Sequence, residues 1–111
     1  MTQHIHELRL ALNIIGDKWS ALILLELAQG AGRFSTLQKT LRINNTTLTE
    51  RLVSLTKAGL ITKTTYQEYP PRIEYELTKK GQDLQPVLRA MAEWVKKYLL
   101  DDSQQHKQKE G

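Results

Sequence analysis

The sequence predicts a mainly α-helical domain that carries one small β-wing, a two-stranded hairpin. Three observations support this class. Apolar residues recur at helical spacing along most of the chain, glycines and asparagines separate the periodic segments, and residues 60–77 instead combine β-branched residues with polar–apolar alternation. The 111 residues, 40% of them hydrophobic and 25% charged, have the composition of one globular domain. We assign this domain to residues 1–100 and expect residues 101–111 to form a disordered polar tail.

Two helices are predicted in the first 30 residues. The first covers residues 5–15 and ends at Gly16, because apolar residues repeat there with the period of a helix. Its apolar positions are Ile5, Leu8, Leu12 and Ile15. Asp17 is suited to cap the second helix, which runs from residue 18 to about residue 29. This second helix is apolar around most of its circumference, so we expect it to be the most buried helix.

A pair of short helices is predicted in the middle of the chain. Ser35, with a glutamine three residues later, fits a capping box that starts a helix over residues 36–43. Asparagines at residues 44–45 form the turn and cap of the next helix, residues 45–57, whose leucines lie on one stripe. Gly59 stands where the end of that helix requires a left-handed residue.

A hairpin and a long helix complete the prediction. Residues 60–66 and 72–77 are expected to form two antiparallel strands with a stiff Pro-Pro tip. Thr78 is suited to cap a last helix that continues to about residue 100. Pro86 lies inside this helix and is expected to kink it or to mark a restart.

The positive charge is concentrated in the middle of the chain. The net charge is +4, and residues 33–80 hold nine basic and four acidic residues, a local net charge of +5. Residues 1–32 carry a net charge of −1, and residues 81–111 are balanced. A basic region between neutral ones indicates an anionic partner, with nucleic acid as the first candidate, although a solvated surface has the same composition.

Several other classes of protein are disfavoured by the composition. The chain contains no cysteine, so disulfides, thiolate nucleophiles and zinc ribbons are excluded. We also find no glycine-rich phosphate loop and no Ser/His/Asp arrangement, and we therefore expect no catalytic residues, no cofactor and no metal site. The longest apolar run, residues 21–25, is far short of the ~20 residues that span a bilayer. With no signal-peptide pattern at its start, the protein is expected to be cytoplasmic.

Two short helices joined by a tight turn and followed by a hairpin are typical of a winged helix-turn-helix. In that arrangement the second helix enters the major groove of double-stranded DNA. We therefore place helix 45–57 in the major groove and the wing, residues 66–73, on the DNA backbone or in the minor groove. The predicted DNA-binding residues are Lys18, Arg33, Ser35, Thr36, Asn45, Thr46, Thr47, Thr49, Glu50, Arg51, Val53, Ser54, Lys57, Tyr69 and Arg72.

The apolar stripe of the last helix is longer than the core of one small domain requires. Together with the first helix it predicts a homodimer, and a two-fold dimer predicts a pseudo-palindromic operator. The predicted interface residues are Ile5, Leu8, Leu12, Leu84, Leu88, Met91, Trp94, Val95 and Leu99. An unidentified small-molecule effector could bind where these helices meet the DNA-binding unit, because apolar clefts tend to form there.

Several sequence blocks follow one another in a fixed order. They are IGDKW at residues 15–19, RF at 33–34, LTERL at 48–52 leading to GLI at 59–61, PRIEYELTKKG at 71–81, and LRAMAEW at 88–94. In this order they resemble the HxlR-type branch of the MarR-like winged helix-turn-helix transcriptional regulators. The resemblance implies a bacterial, homodimeric, DNA-binding regulator, expected to act as a repressor, whose first and last helices form the dimer.

The sequence departs from that family at positions that matter for sensing and for DNA reading. Many relatives carry a sensing cysteine before the first helix, and His6 stands there in this chain, so thiol-based sensing is absent. Thr46 and Val53 occupy positions that are often basic in relatives. The alternative to sequence-specific DNA reading is a winged-helix module for protein or RNA contact. Such a module would not need its positive charge concentrated on residues 33–80.

Overall fold

A computed structural model of the protein describes residues 3–30 and 32–100. This part of the chain is mainly helical and carries one two-stranded antiparallel sheet, which confirms the predicted fold class. The elements are α1 (Gln3–Ile15), α2 (Ser20–Leu27), α3 (Phe34–Leu41), α4 (Asn45–Lys57), β1 (Ile61–Tyr66), β2 (Arg72–Leu77), α5 (Lys79–Val95) and a π-helical segment, Lys96–Leu100. The tail predicted at residues 101–111 lies outside the described residues. None of the helices in the described ranges is long and apolar enough to cross a membrane.

The hydrophobic core lies where α2, α3, α4, α5 and the hairpin meet. Its buried members are Ile23, Leu24, Leu27, Leu37, Ile43, Leu48, Leu52, Leu55, Leu60, Ile61, Tyr75 and Leu88. Four of the eight residues of α2 are buried, a larger share than in any other described helix. The prediction that the second helix is the most buried is therefore confirmed.

The turn between α3 and α4 is built from local backbone chemistry. Arg42 adopts the left-handed conformation (φ 53°) and reverses the chain at the end of α3. The Asn44 side-chain oxygen then accepts hydrogen bonds from the backbone N–H groups of Thr46 (2.8 Å) and Thr47 (3.2 Å). Gly59, at φ 80°, follows the other end of α4. Both predicted boundaries of this helix are confirmed.

The start of α3 differs from the prediction. The helix begins at Phe34, its N-cap residue is Arg33, and no side chain caps it, so the capping box assigned to Ser35 is wrong. The cause is a tertiary contact. Gly32 exchanges two backbone hydrogen bonds with Tyr75 of β2 (2.9 and 2.8 Å), which fixes the chain just before the helix. A β-carbon at Gly32 would lie 2.7 Å from a methyl group of Leu27, so any larger residue would force the Leu27 side chain to shift.

The hairpin and α5 are joined to the end of α4. The strands pair from Ile61 opposite Leu77 to Tyr66 opposite Arg72. The Thr78 hydroxyl accepts a hydrogen bond from the N–H of Gly81 (3.1 Å) and donates one to the carbonyl of Gly59 (2.6 Å), so the predicted cap of the last helix is confirmed.

The chain is helical to residue 100, as predicted for the last helix, and two details are added by the structure. It passes through Pro86 without interruption, so the restart that we considered there does not occur. The α-helical conformation ends at Val95, and the π-helical segment continues the helix to Leu100.

Candidate nucleic-acid interface

Helix α4 divides cleanly into a core face and a solvent face. Its buried leucines hold it against the domain, and the opposite face carries short polar or methyl-bearing side chains. The exposed residues among those predicted to bind DNA are Asn45, Thr46, Thr49, Glu50, Val53, Ser54 and Lys57, whereas Thr47 and Arg51 are partly buried. Because the side chains that hold the helix differ from those it displays, the displayed face is free to contact base edges.

Arg51 connects α4 to the turn between α1 and α2. Its guanidinium NH1 lies 3.7 Å from Oδ1 of Asp17. The Asp17 carboxylate also accepts hydrogen bonds from the N–H groups of Trp19 and Ser20, both at 2.9 Å, and from the Ser20 hydroxyl at 2.5 Å. Burial by itself raises the pKa of Asp17, but these hydrogen bonds outweigh it, so the pKa lies below its usual value. The carboxylate is thus a fixed anion that caps the start of α2 and faces α4.

The wing arginine is held within its own hairpin. The guanidinium of Arg72 lies 3.2 Å from the carboxylate of Glu68 and 3.1 Å from that of Glu74, and its Cζ lies 4.3 Å from the ring centre of Tyr66. Its side chain is 29% exposed. We predicted Arg72 as a contact to the DNA backbone or minor groove, but these partners neutralise it in the described structure. These contacts link Arg72 to the ring of Tyr66 on β1 and to carboxylates on both sides of it in the sequence.

The remaining predicted contacts lie on exposed surface. Arg33 is 55% exposed and its closest approach to Glu74 is a long 3.9 Å. Tyr69 is fully exposed at the wing tip. Ser35 and Thr36 are exposed in the first turn of α3. Lys18 is exposed too, and its ammonium lies 4.9 Å from the ring centre of Trp19.

One basic residue near this surface was missed by the sequence reasoning. Lys63 of β1 lines a cleft of about 260 Å³ together with Leu52, Val53 and Lys57 of α4. The strand alternation contained a usable signal, because residues 61, 63 and 65 share one face of the hairpin and Ile61 belongs to the core. Lys63 therefore points to the same side of the hairpin as α4.

Most of the residues predicted to form a dimer interface are exposed, and the others are partly or fully buried by their own chain. Ile5, Leu8 and Leu12 of α1 are exposed, as are Met91 and Leu99. Trp94 is 57% exposed, and its ring centre lies 5.7 Å from that of Tyr98. Val95 is partly buried.

Leu88 departs from the predicted dimer interface because its own chain buries it, and Leu84 is partly buried. Leu88 is only 3% exposed and belongs to the core of the single chain, and Leu84 packs against that core. The reason is that the first half of α5 lies on α2, where the Gln85 side-chain amide donates to the carbonyl of Leu24 (3.3 Å). In the second half of α5, Met91 and Trp94 remain more than half exposed.

The order of α3, turn, α4 and hairpin defines a winged helix-turn-helix, and solved structures share it. A MarR-family transcriptional regulator from Enterococcus faecalis V583 superposes with a TM-score of 0.79 at 33% sequence identity, covering 89% of this chain and 91% of that one. The reduced form of the regulator YodB from Bacillus subtilis superposes with a TM-score of 0.76 at 30% identity, covering 84% and 92%. The fold is therefore that of the MarR-like regulators.

The chain belongs to the HxlR-like helix-turn-helix family, whose family model matches residues 14–103. It is 40% identical over 97 residues to an uncharacterized HTH-type transcriptional regulator of Methanothermobacter thermautotrophicus, covering 86% of this chain and 74% of the relative. It is also 40% identical over 103 residues to a regulator of Synechocystis, covering 92% and 76%. The protein is a helix-turn-helix transcriptional regulator and not an enzyme, and the family predicted from the sequence is confirmed.

Proposed function

We propose that this regulator is a homodimer that binds double-stranded DNA sequence-specifically and acts as a repressor. In this proposal α4 lies in the major groove, and the wing at residues 66–73 lies on the DNA backbone or in the minor groove. The observation that carries the proposal is the solvent face of α4. It displays hydrogen-bonding and methyl groups along its length while its opposite face is fully used by the core.

The side chains of α4 suit direct reading of base edges. Thr46 and Thr49 can donate or accept hydrogen bonds, Glu50 can accept from the amino group of cytosine, and Val53 can contact a thymine methyl group. Phosphates would be bound by the exposed first turn of α3 at Ser35 and Thr36, because backbone N–H groups at a helix start favour anions. Lys18 and Arg33 are exposed cations suited to the same task.

Dimerisation is supported by apolar surface that the single chain leaves uncovered. Large exposed apolar patches on small proteins mark interaction surfaces. The first helix and the end of the last helix provide such surface, with Leu8, Leu12, Met91, Trp94 and Leu99 all at least half exposed. A two-fold dimer would place its α4 helices about 34 Å apart, in successive major grooves.

A small apolar effector is a further part of the proposal. A cleft of about 270 Å³ lies between α1 and α5 and is lined mainly by Ala11, Ile14, Ile15, Leu60 and Leu84. A compound bound there would touch both the proposed dimer helices and the DNA-binding unit. Screening small apolar compounds by thermal shift, with Ala11→Trp as a cleft-filling control, tests this part. Shifts that persist in the filled variant contradict it.

The decisive experiment is selection of bound duplexes from a random DNA pool, with the oligomeric state measured by sedimentation. We expect one inverted repeat, bound by a dimer, with affinity that falls steeply as salt rises. A steep salt dependence without a preferred sequence would indicate a nonspecific binder. No binding at low salt would favour protein contact instead. Expression from a reporter that carries the selected repeat distinguishes repression from activation.

A further inference from the structure

The cleft between α4 and the wing contains two lysines from different elements. Lys57 comes from the last turn of α4 and Lys63 from the middle of β1, and both line the same space of about 260 Å³. Lys63 pairs with Tyr75 in the hairpin register, and Tyr75 also lines the cleft. The fold therefore brings together two cations that are six positions apart in sequence, on opposite sides of one groove.

These lysines differ from the nearby arginines in having no internal counterion. In residues 3–30 and 32–100, Arg33, Arg51 and Arg72 each lie within 4 Å of a carboxylate, at 3.9, 3.7 and 3.1 Å. No such ion pair is formed by Lys57 or Lys63 within the same ranges. Both side chains are exposed. Lys57 and Lys63 are thus cations next to α4 that no carboxylate of the described residues neutralises.

The residues that line the cleft do not repel an anion. None of the described residues that line it is acidic: they are Leu52, Val53, Thr56, Lys57, Lys63 and Tyr75. Burial raises the pKa of the Tyr75 phenol, so this group is also uncharged at neutral pH. An anionic chain crossing the groove would meet two ammonium groups and no negative charge.

We infer that Lys57 and Lys63 together hold a backbone phosphate segment of DNA between α4 and the wing. This inference rests on the proposed DNA binding and adds a contact that contributes to its salt dependence. An ammonium neutralises phosphate without reading sequence, and each neutralised phosphate releases bound counterions. The lysine pair would thus set affinity, whereas the exposed face of α4 would set sequence preference.

The test compares salt dependence among charge variants of the whole 111-residue chain. The probe is a labelled mixed-sequence duplex of about 30 base pairs, long enough for two half-sites one helical turn apart. The variants are Lys57→Gln, Lys63→Gln and the double variant. Lys79→Gln is the matched control, because Lys79 is an exposed lysine already paired with Asp83 at 3.1 Å. Lys63→Arg retains the charge, and circular dichroism verifies folding of each protein.

We expect both single variants to flatten the salt dependence and the double variant to flatten it further. Each lost phosphate contact lowers the slope of log affinity against log salt by about 0.9, or about 1.8 when both protomers lose it. When the salt concentration rises fourfold, each single variant should therefore lose roughly tenfold less affinity than the wild type loses. Lys63→Arg and Lys79→Gln should retain the wild-type slope.

The outcomes separate this inference from the proposed function. If the double variant and Lys79→Gln have equal slopes of log affinity against log salt, Lys57 and Lys63 do not bind phosphate. The proposed DNA binding would be unaffected by that result. If only one of the two single variants has a flatter salt dependence, the inference that both lysines bind the phosphate segment is wrong. A wild-type protein that shows no salt-dependent binding to any duplex instead contradicts the proposed function itself.

Discussion

The Arg51 guanidinium lies 3.7 Å from the Asp17 carboxylate, and this contact joins α4 to the turn between α1 and α2. Asp17 follows Gly16, whose N–H donates to the carbonyl of Leu12 and closes α1. The helix proposed to read DNA and the start of the buried helix α2 thus meet at one carboxylate. Both side chains are about 30% exposed, so the ion pair itself contributes little to folding stability. Most of the stabilisation by Asp17 comes from its hydrogen bonds to the backbone.

Replacement of Asp17 by alanine should destabilise the fold. The variant loses the oxygen that accepts from Trp19 and Ser20, and loss of such a cap typically costs about 0.5–2 kcal/mol. The measurement is the free energy of unfolding in urea. Asp17→Asn is the control, because asparagine is also a good capping residue and should lose less. Equal losses in the two variants would assign the effect to charge rather than to capping.

The contribution of Asp17 should depend on pH in a defined direction. Its pKa is lowered in the folded state from 3.8, so as the pH falls the unfolded chain takes up the proton first. The stabilisation is therefore fully present above about pH 4 and is lost as the pH falls through the folded-state pKa. Urea unfolding of wild type and Asp17→Asn should show a stability difference that shrinks in this acidic range. A difference that grows instead would contradict the direction of the pKa shift.

Replacement of Arg72 by glutamine should loosen the wing more than it changes the charge available to DNA. The arginine is held by Glu68, Glu74 and the Tyr66 ring, so its removal frees the hairpin near the tip. We expect faster amide hydrogen exchange in residues 66–73 and a smaller change in salt dependence than for Lys63→Gln. Glu68→Gln is the milder control, because that carboxylate is the more exposed partner. Unchanged exchange rates would show that Arg72 does not brace the wing.

Substitutions on the last helix should separate core from dimer interface. Leu88→Ala removes a buried side chain and should cost about 2–5 kcal/mol of folding free energy. Met91→Glu and Trp94→Glu change exposed residues and should instead produce a folded monomer. Sedimentation combined with urea unfolding measures both effects. Dimers that survive both glutamate substitutions would place the interface elsewhere.

Substitutions on the solvent face of α4 should change which sequence is bound. Loss of a base contact at Glu50 or Thr46 is expected to cost about 1–3 kcal/mol at one base-pair position and to relax preference there. Duplex selection repeated with Glu50→Gln and Thr46→Ala measures the change. Thr62→Ala on the hairpin is a control, since Thr62 lies on the face opposite Lys63. A uniform loss across all sequences would contradict the major-groove assignment of α4.

Local signals in the sequence predicted the helix-turn-helix well, because short-range chemistry determines it. The Asn44 cap and the left-handed Gly59 act within a few residues of the helix ends that they define. The misassigned start of α3 depends on the pairing of Gly32 with Tyr75, which are distant in sequence. The burial of Leu88 against α2 and the carboxylates around Arg72 also depend on the folded arrangement and not on local sequence signals. Periodicity identifies an apolar stripe, but it does not say how much of that stripe the same chain covers.

The pairing of Gly32 with Tyr75 also limits how this protein can acquire new targets. It extends the hairpin by one short bridge to the residue that precedes the α3 cap, so the wing and the start of α3 are fixed to one another. Tilting the wing alone would break two backbone hydrogen bonds. If α4 reads DNA as proposed, a change of operator is easier through side-chain replacement on its open face than through movement of the scaffold. The same rigidity makes that face a suitable place to engineer a new binding preference.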